Sequence, residues 1–186
     1  MGKVIVGMTM SLDGFINDRD GSVAALYSDL DAWRETNLGK ESIESTGAVV
    51  MGWNSYAMAE DPDWFAGNYE YQVPIFVLTH QPPKKHPKEI DDLAFTFVTD
   101  GIESAVRQAK AAAGDKDVNI IGAASTTQQC LRAQLADELH VDFMPIFLGS
   151  GLRPFENLGA PLPQLERLMV MELPGGRTHL RFRIIK

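Results

Sequence analysis

Val118-Asn119-Ile120-Ile121-Gly122-Ala123-Ala124-Ser125-Thr126 is the stretch on which the reading of this chain turns. Val118–Ile121 reads as a short strand, Gly122 ends it, and a helical pattern over Ser125–Ala136 follows, with Ser125 placed as its cap. A strand passing directly into a helix opens a β-α unit, and open α/β sheets bind ligands beyond the carboxyl ends of their strands. Small residues before a helix N-terminus suit a pyrophosphate laid against the first amides. The G-x-G-x-x-G dinucleotide fingerprint is absent, and taken alone Ala123 and Ala124 serve packing equally well.

Working outward, the same grammar recurs. Lys3–Met10 reads as a strand buried on both faces, closed by a turn in which Gly14 supplies backbone freedom. Ser28 or Asp29 starts a helix whose apolar side is Leu30, Trp33, Leu38 and Ile43, ending at Gly47. Ala48–Met51, Pro74–Thr79 and Phe95–Val98 read as strands, and Gly101–Ala113 as a helix stopped by Gly114. Leu139–Phe147 is a sixth strand, and Leu165–Leu173 with Thr178–Ile185 form a closing hairpin. Strand-helix alternation followed by strands alone predicts a mainly parallel twisted sheet, helices on both faces and an antiparallel C-terminal hairpin. No linker divides residues 1–186, so one domain is expected.

Three strand ends carry polar or small groups: Gly52-Trp53-Asn54-Ser55, Thr79-His80-Gln81 and Gly122–Thr126. Each, on its own, is also an ordinary strand exit. The loop Asp61–Glu70, rich in aromatics, is of the kind that borders a site.

Composition narrows the function classes. A formal net charge of −8 argues against nucleic acid, whose phosphates need clustered Lys and Arg. A single cysteine, Cys130, forms no internal disulfide, and the start of the chain lacks a signal-peptide pattern, so a cytoplasmic location is expected. No apolar run approaches a membrane span. The four histidines show no metal-ligand spacing, so no metal is expected, and there is neither a P-loop nor a G-x-S-x-G elbow.

Six pieces in register resemble the dihydrofolate reductase superfamily, and most of all the C-terminal reductase domain of riboflavin biosynthesis (RibD) and its stand-alone relatives. They are Met10–Ile16, Val50–Tyr56, Val77–Pro82, Ile121–Ser125, Leu135–Leu139, and Pro145–Gly151 before Pro154-Phe155. The resemblance covers nearly the whole chain and implies a dihydrofolate-reductase-like fold of the α/β class. It implies NADPH as cofactor and hydride transfer to a C=N or C=O bond of a small heterocycle, as in 5-amino-6-(5-phosphoribosylamino)uracil reductase. Carried over by position, Gly52, Trp53, Asn54 and Ser55 meet the cofactor phosphates, and Thr79, His80 and Gln81 lie near the adenosine ribose. Gly122, Ala123, Ala124, Ser125 and Thr126 form the pyrophosphate turn. Many relatives have Arg where this chain has Trp53, so NADH stays open beside NADPH.

On the substrate side the resemblance points to Asp13, Gly14, Ile16 and Trp33 as binding residues. It points to Asp29 or Asp31 as proton donor, although either also suits the start of a helix. Relatives often pair, which implies a homodimer. The alternatives are a dihydrofolate-reductase-type pterin reductase and a non-catalytic nucleotide-binding protein of the same fold.

Overall fold

A computed structural model describes residues 2–186. Eight strands form one sheet: β1 (Val4–Ser11), β2 (Thr46–Gly52), β3 (Ile75–Leu78), β4 (Phe95–Val98), β5 (Asp117–Ile121), β6 (Glu138–Met144), β7 (Gln164–Glu172) and β8 (Thr178–Ile185). Their order across the sheet is β4-β3-β2-β5-β1-β6-β8-β7. All pairings from β4 to β6 are parallel, whereas β8 runs antiparallel to both β6 and β7.

The helices are α1 (Leu30–Glu35), α2 (Asn37–Ser45), α3 (Trp53–Ala57), the single turn α4 (Phe65–Asn68), α5 (Ile102–Ala113) and α6 (Ala124–Arg132). Alternation along the strands sends Val4, Val6, Val118, Ile120, Leu139 and Val141 to the face covered by α5 and α6, where Ala105, Ala109 and Cys130 complete a dry core. Burial pushes the Cys130 thiol up to about 12, which leaves it a packing residue. A second core, built on Val49, Met51, Ile75, Val77 and the stacked rings of Tyr56 and Phe65, fills the opposite face over β2 and β3.

Three expected elements differ, each for a local reason. The helix expected from Asp29 to Gly47 is two helices, because Thr36 is extended and its Oγ1 accepts from the Gly39 amide at 3.0 Å, starting a new helix. The helix expected over Ser125–Ala136 is α6, one residue earlier at its start and ending at Arg132; Ser125 is no cap, since its hydroxyl accepts from Gln129 Nε2 instead. The strand expected to reach Phe147 stops at Met144, before Pro145, which has no amide to donate to a ladder. The remaining strands and α5 fall within about two residues of their expected bounds.

A cleft and a cavity that meet at one strand end

The carboxyl ends of β2, β3 and β5 open into one cleft of about 680 Å³. Gly52, Trp53, Asn54, Thr79, His80, Gln81, Ala123, Ser125 and Thr126 line it, together with Lys84. Ser55, Gly122 and Ala124, expected beside them, are not part of its lining. Ser55 Oγ accepts from the Ala123 amide at 3.2 Å and so ties the start of α3 to the β5–α6 turn.

Two packing facts make this cleft close-fitting. A Cβ on Gly52 would lie 2.4 Å from Thr126 Oγ1, and one on Gly122 would lie 2.8 Å from Thr126 Cβ. Both glycines therefore let α6 approach the ends of β2 and β5. The N-cap of α6, Ala123, offers no side-chain cap, so the amides of Ala124 and Ser125 lack an acceptor within the helix. Trp53 stands at the rim, 37% exposed, in contact with Tyr56 at a centroid distance of 5.4 Å. Lys84 has no carboxylate partner among the described residues, whereas Lys85 is held by Asp63 at 2.6 Å.

A second cavity, of about 180 Å³, lies on the sheet face beneath α1 and α2. Its floor is the other half of the strand alternation: Ile5, Gly7 and Thr9 of β1, Asn119 and Ile121 of β5, Glu138, His140 and Asp142 of β6, and His179 and Arg181 of β8, with Arg177 just before it. Its roof includes Tyr27, Leu30, Trp33, Leu38 and Tyr71. Ile121 belongs to this wall, and Ala123, two residues on, belongs to the cleft wall, so the two spaces adjoin at the end of β5.

Charge in the cavity is organised around Arg177, which is only 2% exposed. Its Nε and Nη2 donate to the two oxygens of Asp29 at 3.0 and 2.5 Å, Nη1 donates to Thr9 Oγ1 and Asp142 Oδ2, both at 2.9 Å, and Nη2 also donates to the Leu26 carbonyl. Asp142 Oδ1 in turn meets His179 Nδ1 at 2.7 Å. The far nitrogen of that ring, Nε2, is buried without a partner, as is Trp33 Nε1. His140 bonds Glu138 at 2.9 Å, and burial first of all pulls it down to about 4.

The residues expected on the substrate side divide. Trp33 lines the cavity. Asp29 is a partner of Arg177, whose hydrogen bonds hold its carboxyl below the usual range, the opposite of what a proton donor needs. Asp31 has its side chain 99% exposed, beside Arg34. Asp13, Gly14 and Ile16 lie outside both spaces. Asp13 accepts from Ser11 Oγ and the amides of Leu148 and Gly149, which hold it down to about 2, the Ser11 bond foremost. Gly14 makes the turn with φ +88°, and the Ile16 amide donates to Leu152. From the aromatic loop, Glu70 reaches the cavity while Phe65 is core. Among the described residues no group of three or more His, Cys, Asp or Glu could hold a metal ion.

Sequence reasoning missed Asp142, His179 and Arg177. The signal was present: Glu138-Leu139-His140-Val141-Asp142-Phe143 and His179-Leu180-Arg181-Phe182 alternate polar with apolar, which turns one polar row per strand to a common face.

The sequence profile of the RibD C-terminal domain matches residues 2–176. The chain belongs to the RibD C-terminal domain family. Among its relatives in sequence is the uncharacterized YyaP of Bacillus subtilis, 28% identical over 155 residues that make up 80% of this chain and 78% of that protein. A putative riboflavin biosynthesis protein from Shewanella sp. PV-4 has the same fold, with a TM-score of 0.74, 24% identity and 99% of each chain covered. Dihydrofolate reductase from Enterococcus faecalis, solved with NADP(H), superposes with a TM-score of 0.64 at 14% identity, covering 100% of this chain and 98% of that one. The fold is therefore that of RibD-type and dihydrofolate reductases. This RibD-family chain contains, among its described residues, no helix long and apolar enough to cross a membrane.

Proposed function

We propose that the protein is an NADPH-dependent reductase that transfers hydride to a C=N or C=O bond of a small heterocycle, a reaction of the type carried out by 5-amino-6-(5-phosphoribosylamino)uracil reductase. The observation that carries this reading is the junction of cleft and cavity at Ile121–Ala123. Gly122–Thr126 at the start of α6 would hold the pyrophosphate of a dinucleotide, and the end of β5 would direct its nicotinamide toward the cavity. Such a cofactor supplies the hydride and its electron pair. The protein's own part is to bind, orient and exclude water.

Gly52 and Gly122 leave room for α6 to present its amides to phosphate. Ser55 fixes the turn that does so. Trp53 offers its ring for stacking on adenine, and Lys84, with His80 beside it in the wall, supplies the positive charge that favours NADPH over NADH in place of the Arg found in many relatives.

The cavity wall holds five carboxylates, Glu41, Glu70, Asp117, Glu138 and Asp142, against three cations, Lys3, Arg177 and Arg181. Each cation already has a carboxylate partner: Lys3 with Glu138, Arg177 with Asp29 and Asp142, Arg181 with Glu41. The walls therefore recognise an uncharged ring through hydrogen bonds rather than a phosphate monoester. A pterin reductase of the dihydrofolate type is disfavoured, because Asp29 is committed to Arg177. The outer strand β7 exposes Leu165, Val170 and Met171 along a free edge, and we place the homodimer contact there. A single buried thiol and an acidic chain are in keeping with the cytoplasm.

The direct test follows NADPH oxidation at 340 nm with 5-amino-6-(5-phosphoribosylamino)uracil and with its dephosphorylated form. Turnover of the dephosphorylated form at equal or higher kcat/KM is expected. No oxidation with either, despite tight NADPH binding, would favour the non-catalytic reading.

A further inference from the structure

The pterin-type acid is missing from this cavity, yet reduction of a C=N or C=O bond needs a proton as well as a hydride. His179 is the buried imidazole whose geometry answers that need. It is 4% exposed, and its Nδ1 lies 2.7 Å from Asp142 Oδ1. Asp142 is itself anchored, because Oδ2 accepts from Arg177 Nη1 at 2.9 Å. That contact holds the ring in the orientation that turns Nε2 away from Asp142. Nε2 then has no partner in the protein, although a buried polar nitrogen ordinarily has one. The ring lines the cavity, on the register row Thr9–Asp142–His179, two residues beyond the Gly7–Ile121 row where the cofactor cleft adjoins.

We infer that the Asp142–His179 pair is the proton-transfer site of this cavity: His179 Nε2 hydrogen-bonds the heteroatom of the reducible bond and gives it a proton, while Asp142 acts as its positioning residue. The inference rests on the reductase reading above. As the substrate carbon accepts hydride from the reduced nicotinamide, the π pair of the C=N or C=O bond takes the proton from Nε2. The substrate gains two electrons and two hydrogens, the two electrons come from the nicotinamide, and His179 is left neutral and recovers its proton from water. The ionisable groups that share the cavity with it are Asp142 and His140 on β6, Arg177 and Arg181 around β8, Glu70 and Tyr27 from the roof, and Glu138 further along the floor. His140 lies 5.6 Å away, ring to ring, and is kept neutral by burial, so no like-charged imidazolium sits beside His179.

The test combines a resonance with a rate. ¹⁵N–¹H spectra of histidine-labelled protein are recorded with NADP⁺ bound, and 5,6-diaminouracil is titrated in; His179→Asn, whose amide still reaches Asp142, assigns the signal. The expected result is a ring protonated on both nitrogens whose Nε2–H resonance moves as the cavity fills, and a loss of that doubly protonated form in Asp142→Asn. With a substrate turned over by the wild type, His179→Asn is expected to lose about 100-fold in kcat with NADPH affinity unchanged. The fall in kcat as pH rises, expected because the donor must be protonated, should vanish with it. A His179 resonance that stays in place throughout, or a His179→Asn variant that keeps the wild-type pH profile, overturns the inference. In that case retained NADPH binding leaves the reductase reading standing, and its loss from the wild type removes both.

Discussion

Arg177 grips Asp29 with two nitrogens, Nε and Nη2, across 148 positions of sequence. The pair joins the N-cap of α1 to the turn that leads into β8, and so closes the roof of the cavity onto its floor. Removing one partner leaves a buried charge without its counterpart. Arg177→Met is expected to cost about 3–5 kcal/mol, measured by urea unfolding, and Asp29→Asn less, because Asp142 and Thr9 still hold the guanidinium. Equal stability of Arg177→Met and wild type would remove the keystone role.

His140 gives stability a defined pH dependence. Its ordinary value is 6.5 and in the fold it falls to about 4. The unfolded chain therefore takes up a proton first as pH drops, and stability tied to a neutral His140 is present above 6.5 and lost progressively down to about 4. The slope from this group is at most about 1.4 kcal/mol per pH unit. Unfolding midpoints measured at intervals from pH 7 to 4 should decline more shallowly in His140→Gln than in wild type.

Thr126 packs on both cleft glycines, but through different atoms. Gly52→Ala brings its new carbon against Thr126 Oγ1, and Gly122→Ala against Thr126 Cβ. Each single substitution is expected to cost about 1–3 kcal/mol by overcrowding. Adding Thr126→Ala should recover most of the loss at Gly52 and little at Gly122, read by thermal unfolding of the four variants.

The β7 edge carries the assembly prediction. Light scattering is expected to give twice the mass of one chain. Val170→Lys, a charge on a residue 54% exposed, should shift that mass to one chain while changing the unfolding free energy of the single chain by no more than about 0.5 kcal/mol. A wild-type mass of one chain contradicts the dimer.

How much was readable beforehand depended on the range of the forces involved. The parallel strands were legible because β-branched runs closed by Gly52 and Gly122 state a strand and its end locally. Nine of the cleft residues named from the sequence do share one cleft, since all were read as strand ends and a parallel sheet brings such ends together. The break at Thr36 was hidden by an apolar spacing that runs through both helices. Asp29 and Asp31 look alike in the sequence, two residues apart, yet one is locked to Arg177 and the other stands in water; only the packing of a distant hairpin separates them. The Asp142–His179 pair needs the antiparallel register of β6 and β8, and register is a property of the sheet, not of either strand.

The central claim is that a phosphate-bearing nicotinamide dinucleotide lies on α6 beside Trp53. The measurement that tests it most directly is a tryptophan-fluorescence titration with NADPH and with NADH, on wild type and on Ser125→Asp, Lys84→Glu and Trp53→Phe. An added carboxylate at the start of α6 suits the helix but repels phosphate. The account predicts saturable quenching with NADPH that Trp53→Phe largely abolishes, a loss of affinity of tenfold or more in Ser125→Asp with the fold intact, and a loss in Lys84→Glu that is larger for NADPH than for NADH. Wild-type fluorescence unmoved by either cofactor, or full NADPH affinity in Ser125→Asp, would contradict it.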